Sequence, residues 1–473
     1  MDTKNYDIVV IGGGSGGLVA AAGAAKFGAK IALLEKNKLG GECLWTGCIP
    51  SKAFIHVAKI AHTVRHASNI GIKPEKISID FSKIIDYVHN VITKIQPHDS
   101  KERFESLGVA VFFGNPRFEN KNTINIGNHH IKAKHFIIAT GSRPYIPEIP
   151  GLHETGFLTN ETVFENRKFP QNLLVIGGGA IGSEMAQAFA RLGSQVTILE
   201  HGDTILSKED PAVANEIKHI FTQEGITILT NSTIHSISKQ GKKKTITYKK
   251  EGRLSKVSGD EILLASGRSP NVEGLNLEHI GVVFDKRKIK VNQHLQTTIP
   301  TIYAIGDVKG GYQFTHIASY EAGIALANIL FKLPIKTDYS IVPWTTFTDP
   351  EVAQVGLTEQ EARKKHGDLL IFQEPFSEID RAQTDNNTKG FIRLITTKKG
   401  KILGVHIIGP HAGELIAEYT LAMRKKLTIK DIYQTIHVYP TLSGINTRIA
   451  GKYMETLLTP FRKKLLKYIF RYG

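Results

Sequence analysis

Residues 6–35 read YDIVVIGGGSGGLVAAAGAAKFGAKIALLE, and this stretch sets the architecture. The apolar run 6–11 is expected to be a buried strand. Gly12, Gly14 and Gly17 follow it with the G-x-G-x-x-G spacing. A helix of small residues is expected over 18–27. The chain then turns at Gly28 into a second strand over 30–34, which ends in Glu35. The glycines let backbone N–H groups approach a pyrophosphate, and the helix dipole stabilises its charge. The acid at the strand tip is placed to accept hydrogen bonds from ribose hydroxyls. A glycine triplet alone is weak evidence, but with both strands and the acid it predicts a dinucleotide-binding α/β domain.

The same unit occurs twice. Residues 172–176 form a second apolar strand, Gly177, Gly179 and Gly182 form the loop, and residues 196–199 lead to Glu200. Gly177 stands 165 positions after Gly12, and Glu200 stands 165 positions after Glu35. Two dinucleotide-binding units imply two bound nucleotides. At the second site a carboxylate accepts from a free 2′-hydroxyl and repels a 2′-phosphate. No arginine stands at positions 201–204 to reverse that, so NADH is expected in preference to NADPH.

Residues 40–52, GGECLWTGCIPSK, hold the only two cysteines, Cys43 and Cys48. Gly47 helps the backbone turn between them, so a disulfide can close. The following residues suit a helix with Ile55, Ala58, Ile60, Ala61 and Val64 on its buried face. Pro50 then falls in the first turn, where a missing N–H costs little. Cys48 sits near the helix N-terminus, where the dipole favours a thiolate, and Lys52 adds positive charge one turn on. A buried cysteine pair or half a metal site is the plainer alternative; the flanking nucleotide motifs favour a redox pair.

A chain of 473 residues exceeds a single core and predicts three or four domains. Two cysteines argue against a disulfide-stapled secreted fold and for a reducing, cytoplasmic setting. No apolar run approaches the length of a membrane span, and the first residues run into a strand without a signal peptide. The formal charge of +16 would suit nucleic acid, but no aromatic–basic motif accompanies it. A basic surface facing anionic cofactors or acidic membranes explains the charge as well.

Shorter signals complete the plan. FIIATGSRP at 136–144 and ILLASGRSPN at 262–271 are each a strand entering a glycine turn, and TIYAIGDV at 301–308 is a strand ending in Gly306-Asp307. In this order they read as closing strands of nucleotide domains, with Thr140, Gly141, Gly306 and Asp307 at the first site and Gly267 at the second. Asp307 is placed for a ribityl or ribose hydroxyl. Residues 239–256 are basic and turn-rich and read as a solvated hairpin without function. From Trp344 onward, alternating strands at 391–396 and 402–408 and a helix at 413–425 read as a separate α+β domain. The expected domains are 1–150, 151–271, 272–343 and 344–473.

From residue 6 to residue 450 the chain resembles the class I flavoprotein disulfide reductases, which include dihydrolipoamide dehydrogenase, glutathione reductase and mercuric reductase. The resemblance implies a homodimer with FAD in the first unit and NAD in the second. It makes residues 272–343 a central domain completing the FAD site and residues 344–473, with the segment FTDPEVAQVGLTE, a dimerisation domain. On it Cys43 is the interchange thiol that attacks substrate and Cys48 the charge-transfer thiol facing the flavin. Lys52 resembles the lysine beside the flavin and Glu184 its ion-pair partner. Electrons would pass from NADH through the flavin to the Cys43–Cys48 disulfide and on to an acceptor.

Two positions depart from the disulfide-reducing members, which carry H-P-T-x-x-E near the C-terminus. Here the segment is HVYPTLSG, with Tyr439 in place of the histidine and Gly444 in place of the glutamate. A tyrosine with an ordinary pKa near 10 is a poor base at neutral pH. His437, two residues upstream, is the alternative acid–base group. Mercuric reductases resemble this chain in having the tyrosine, but they end in a cysteine pair, whereas this chain ends FRYG. The function expected is therefore a mercuric reductase-like NADH oxidoreductase, its acceptor a metal ion, quinone, oxygen or small disulfide. The alternatives are a dihydrolipoamide dehydrogenase and a redox-silent flavin-binding scaffold.

Thr459-Pro460 predicts a last helix start. Phe461, Leu465, Tyr468, Ile469 and Tyr472 fall on one face, and Arg462, Lys463, Lys464, Lys467 and Arg471 occupy much of the rest. Two expectations follow: a helix packed on its own dimer, or peripheral contact with the inner face of an anionic membrane.

Overall fold

The computed structural model describes residues 3–74 and 77–472, except for the side chain of Tyr472. The chain divides into two compact units, Met1–Gly177 with Ile234–Tyr248 and Ser255–Thr337, and Gly178–Thr233 with Lys249–Leu254 and Asp338–Gly473.

The first unit is built on a sheet centred on strand Thr3–Ile11. Strand Ile31–Glu35 pairs parallel on one side, with Val109–Phe113 beyond it, and strand His129–Ile138 pairs parallel on the other. In that register Val10 lies opposite both Leu33 and Ile137. Ile302–Ala304 also joins His129–Ile138 in parallel, while Thr123–Ile126 and Arg117–Asn120 extend the edge antiparallel. Ile8 to Ile11 are all buried, because a parallel strand covered on both faces reads as a continuous apolar run.

One face of this sheet is covered by helices Ser15–Lys26 and Thr315–Leu330, whose Leu18, Ala21, Ala24, Ala322 and Ala325 share a core. Their small residues permit close packing: a Cβ at Gly23 would stand 2.7 Å from the Leu326 side chain. Strand Asn172–Ile176 pairs parallel with Glu261–Leu264 in the same unit.

The second unit contains strands Gln195–Leu199 and Thr227–Leu229, paired in parallel, and helices Ala180–Leu192 and Pro211–Gln223. The latter starts on an Asp210 cap, whose Oδ1 accepts from the Ala212 N–H, with Pro211 at the first helical position. Its larger part is an antiparallel sheet in the order Pro343–Thr346, Glu351–Gly356, Ile402–Gly409, Phe391–Thr397, Leu369–Pro375. Every residue of the central strand Ile402–Gly409 is buried. Tyr419 of helix Ala412–Arg424 and Ile449 and Tyr453 of helix Gly444–Thr456 complete that core. The Asp349–Pro350 and Tyr439–Pro440 peptides are cis.

Three expectations change. The basic stretch 239–256 is not a solvated hairpin. It lies in strands Thr233–Gln240, Lys243–Lys250 and Arg253–Gly259. There Ile246 is fully buried, and the buried Lys244 ammonium pairs with Glu261 and donates to the Gly156 carbonyl. The helix after the cysteines, Cys48–His66, buries Phe54, Ala58 and Ala61 while Ile60 and Val64 are exposed, so its buried stripe is rotated from the expected one. The strand at 301–308 is only Ile302–Ala304, followed by a 3-10 turn, Gly306–Lys309. Among the described residues no helix is long and apolar enough to cross a membrane.

Candidate active site

The two glycine loops are built alike. Gly12 and Gly177 have φ of +106° and +103°, and a Cβ at either would stand 2.4 Å from a carbonyl, of Ala139 or of Ala265. Only glycine fits that close approach. Glu35 accepts from the Gly13 N–H at 2.6 Å and the Asn37 N–H at 2.8 Å. Glu200 accepts from the Gly178 N–H at 2.6 Å and the Gly202 N–H at 2.7 Å. Each acid therefore fixes the shape of its own loop, and the remaining lone pairs of the carboxylate stay available for a sugar hydroxyl.

Helices Ser15–Lys26 and Ala180–Leu192 start at Gly14 and Gly179 with no side-chain cap and no acid in the first turn. A pyrophosphate is the anion such N-termini fit, and a Cβ at Gly179 would meet nothing within 4 Å. Gly17 and Gly182 lie in the first turns of these helices.

The cysteine segment lies in the first unit. Cys43 is on the short helix Gly41–Trp45, and Cys48 is the first residue of helix Cys48–His66. Both are present as thiols. The Cys43 thiol is pushed far above the usual range, first by its hydrogen bond with Cys48, then by burial and by the Cys48 charge. Thr315 Oγ1, on the first residue of helix Thr315–Leu330, lies 3.5 Å from Cys48 Sγ. Two helices of 19 and 16 residues therefore start around one sulfur, neither with a side-chain cap or an acid in its first turn. Lys52 stands one turn into the first of them.

Around the thiols is a network that the sequence did not reveal. Glu42, next to Cys43, pairs with Arg268 and accepts from Asn160 Nδ2 at 2.8 Å. Burial pushes its carboxyl up to about 7 against the pull of Arg268. Arg268 Nε donates to Ser142 Oγ at 2.7 Å, and Ser142 Oγ donates to Asp307 Oδ2 at 2.6 Å. The Asp307 turn is held from beneath: the Gly306 N–H donates to the buried Glu321 carboxylate, which also pairs with Lys309 at 2.9 Å.

Strands Ser142–Pro144 and Arg268–Pro270 pair antiparallel, so Thr140 and Gly141 stand beside the segment that carries Gly267. The Thr140 hydroxyl donates to the Asn271 carbonyl at 2.6 Å, and the Asn271 N–H donates to the Gly141 carbonyl at 3.0 Å. The Gly267 carbonyl accepts from the Tyr145 N–H at 2.9 Å.

In the second unit Glu184 is buried on helix Ala180–Leu192 and accepts from the Phe347 N–H at 2.8 Å. Tyr439 is 77% exposed, and its hydroxyl donates to Asp380 at 3.1 Å. That hydrogen bond, with the aspartate's charge, holds the phenol's pKa above its ordinary value of 10.0. His437 is turned inward. Its Nε2 meets Glu418 at 3.0 Å, and its Nδ1 meets the Thr435 carbonyl at 2.9 Å and the Thr447 hydroxyl at 2.8 Å. A Cβ at Gly444 would meet nothing within 4 Å.

Residues 6–322 match the pyridine nucleotide-disulphide oxidoreductase family, and residues 342–448 match its dimerisation domain. The chain belongs to this family. As a member it is an oxidoreductase enzyme with FAD- and NAD-type Rossmann-like domains and a dimerisation domain, of a family that binds FAD and NAD(P)H. The oxidoreductase is 33% identical to a mercuric reductase of Bacillus cereus over 93% of this chain and 70% of that protein. It is 37% identical to a dihydrolipoyl dehydrogenase of Geobacillus stearothermophilus over 93% of this chain and 94% of that protein. The HOCl-induced flavoprotein disulfide reductase RclA of Escherichia coli superposes with a TM-score of 0.86 at 29% identity, over 94% of this chain and 99% of that chain. A Cu(II) complex of RclA superposes with the same TM-score of 0.86, over 96% and 100% of the two chains.

Proposed function

We propose that this oxidoreductase uses NADH and its Cys43–Cys48 pair to reduce an acceptor that needs no acid–base relay, a soft or redox-active metal ion foremost. When bound, FAD supplies the two-electron step between NADH and the Cys43–Cys48 disulfide. The first glycine loop, Glu35 and Asp307 would hold FAD, and the second loop with Glu200 and Gly267 would hold NADH. Lys52 and Glu184 are assigned to the flavin environment. Cys43 is the thiol that meets the acceptor, and Cys48 is the thiol at the two helix starts, assigned to face the flavin.

The observation that carries the reading is the Tyr439 hydroxyl on Asp380, with Gly444 in place of a carboxylate. A phenol held protonated takes up no proton at neutral pH, while general acid–base catalysis typically contributes about 10²–10⁴-fold to turnover. A metal ion needs no such relay, and a phenolic oxygen beside a thiolate suits it as a ligand. Two of the named relatives point the same way, a mercuric reductase at 33% identity and a Cu(II) complex of RclA, while the dihydrolipoyl dehydrogenase at 37% identity points to the second reading below. Ile436, Val438 and Tyr439 are largely exposed in a single chain, consistent with a homodimer in which this segment faces the partner's Cys43. The reducing environment that two thiols need fits the cytoplasm.

Dihydrolipoamide dehydrogenase is the second reading. His437 held by Glu418 is the observation in its favour, although both ring nitrogens are already engaged. Steady-state NADH oxidation with Hg(II), Cu(II), a quinone, lipoamide and glutathione disulfide separates the two. We expect the metal ions to give the highest kcat/KM, and lipoamide turnover as fast as metal turnover overturns the proposal. A protein whose bound flavin is not bleached by NADH would be the redox-silent scaffold.

A further inference from the structure

The last helix has no part in the electron transfer proposed above. Pro460–Tyr472 is a 13-residue helix. Its start is fixed by Thr459, whose carbonyl accepts from the Lys463 N–H at 2.9 Å and whose hydroxyl accepts from the Arg462 N–H at 3.3 Å. Every residue from 460 to 471 is exposed. Phe461, Leu465 and Ile469 recur at helical spacing, and Leu466 and Phe470 widen the apolar arc beyond the narrow face the sequence suggested. Phe461 is 75% and Phe470 83% exposed, so burying their rings is a large unused gain. Lys463, Lys464, Lys467 and Arg471 fill the remaining arc. Arg462 folds back and donates to the Leu457 carbonyl at 2.9 Å. No acid follows Glu455 in the chain.

We propose that this helix docks the oxidoreductase on a membrane surface rich in anionic lipid. The Phe461–Leu465–Ile469 arc would enter the headgroup–acyl boundary, and the lysines would lie against the phosphates. Charge and apolar area together select this occupant. A second copy of the helix brings five cations against five. A nucleic acid matches the cations but leaves Phe461 and Phe470 in water. An anionic bilayer satisfies both arcs, and the +16 charge of the chain draws it to the surface from a distance.

The test is flotation of the full-length flavoprotein with phosphatidylcholine vesicles and with vesicles that also contain phosphatidylserine. The expected result is flotation with the anionic vesicles only, weakening as salt rises. A chain ending at Leu458 should keep its flavin and its NADH oxidation and stay at the bottom. Each lysine changed to glutamine, as in Lys463→Gln and Lys467→Gln, should weaken binding about fivefold. Phe461→Ser with Leu465→Ser should weaken it further at unchanged charge. Equal flotation with and without the tail overturns the proposal, as does no flotation of either. A tail whose removal only lowers the mass of the oligomer, or which shifts RNA but binds no vesicle, also overturns it.

Discussion

The Tyr439 hydroxyl donates to the Asp380 carboxylate across 3.1 Å, so a neutral phenol stands at the position that the family resemblance assigns to an acid–base histidine. A Cβ at Gly444 meets no atom within 4 Å, so a side chain can start there without a clash. The double change Tyr439→His with Gly444→Glu should therefore raise kcat/KM for lipoamide by at least about tenfold, a fraction of the usual acid–base contribution. Tyr439→Phe should slow a metal acceptor. Steady-state kinetics on both acceptors checks the pair of outcomes.

The different positions of the two sulfurs, Cys48 at the starts of two helices and Cys43 on a short helix before them, predict different spectra. Two-electron reduction should produce a long-wavelength thiolate–flavin band that Cys48→Ser abolishes and Cys43→Ser keeps. Thr315→Val removes a hydroxyl 3.5 Å from Cys48 Sγ. It should shift the pH at which the band develops upward by about one unit, the size expected for a lost hydrogen bond to a charged group. An absorbance titration reads all three variants.

Glu200 should make NADH the better donor. Glu200→Ala should cost NADH about 10- to 100-fold in kcat/KM, because a charge-assisted hydrogen bond is lost, and should cost NADPH less. Equal use of both nucleotides by the wild type would contradict the assignment.

Glu209 is buried with Oε1 accepting from the Trp344 indole N–H at 2.8 Å and Oε2 without a hydrogen-bond partner. Burial pushes its carboxyl from 4.5 up to about 7. A raised carboxyl favours the folded state fully below its unfolded value, and that advantage is lost as pH rises through 7. Glu209→Gln does not titrate. Between about pH 5 and about pH 8 it should gain on the wild type by the order of 1–3 kcal/mol. Denaturant midpoints at the two pH values measure the change.

The nucleotide loops and the thiol pair were legible in the sequence because each is local. A strand, a glycine loop and a tip acid determine one another within 24 residues, as Gly12 and Glu35 do, and the structure repeats that geometry at Gly177 and Glu200. Glu42 and Arg268 were not legible. They stand 226 residues apart, and nothing in either local pattern names the other. Thr315 stands 267 positions after Cys48, and only the fold brings it to that sulfur. Lys244 looked solvated because it sits in a basic run, and only its pairing with Glu261 places it inside. Ile60 and Val64 misled because spacing gives a helix its apolar residues but not the angle at which its neighbours meet it.

The way Glu200 grips its own loop also bears on how this enzyme could have diverged. The carboxylate that would select the sugar is the one that accepts from Gly178 and Gly202. A lineage changing its preference to the phosphorylated nucleotide could not simply discard the acid, because the loop would lose its brace in the same step. A second substitution restoring that brace would have to come first or arrive together with it. On the proposed assignment, cofactor choice at this position is coupled to loop architecture, and a donor preference set by Glu200 is expected to drift more slowly than an acceptor preference set by the solvent-facing Tyr439.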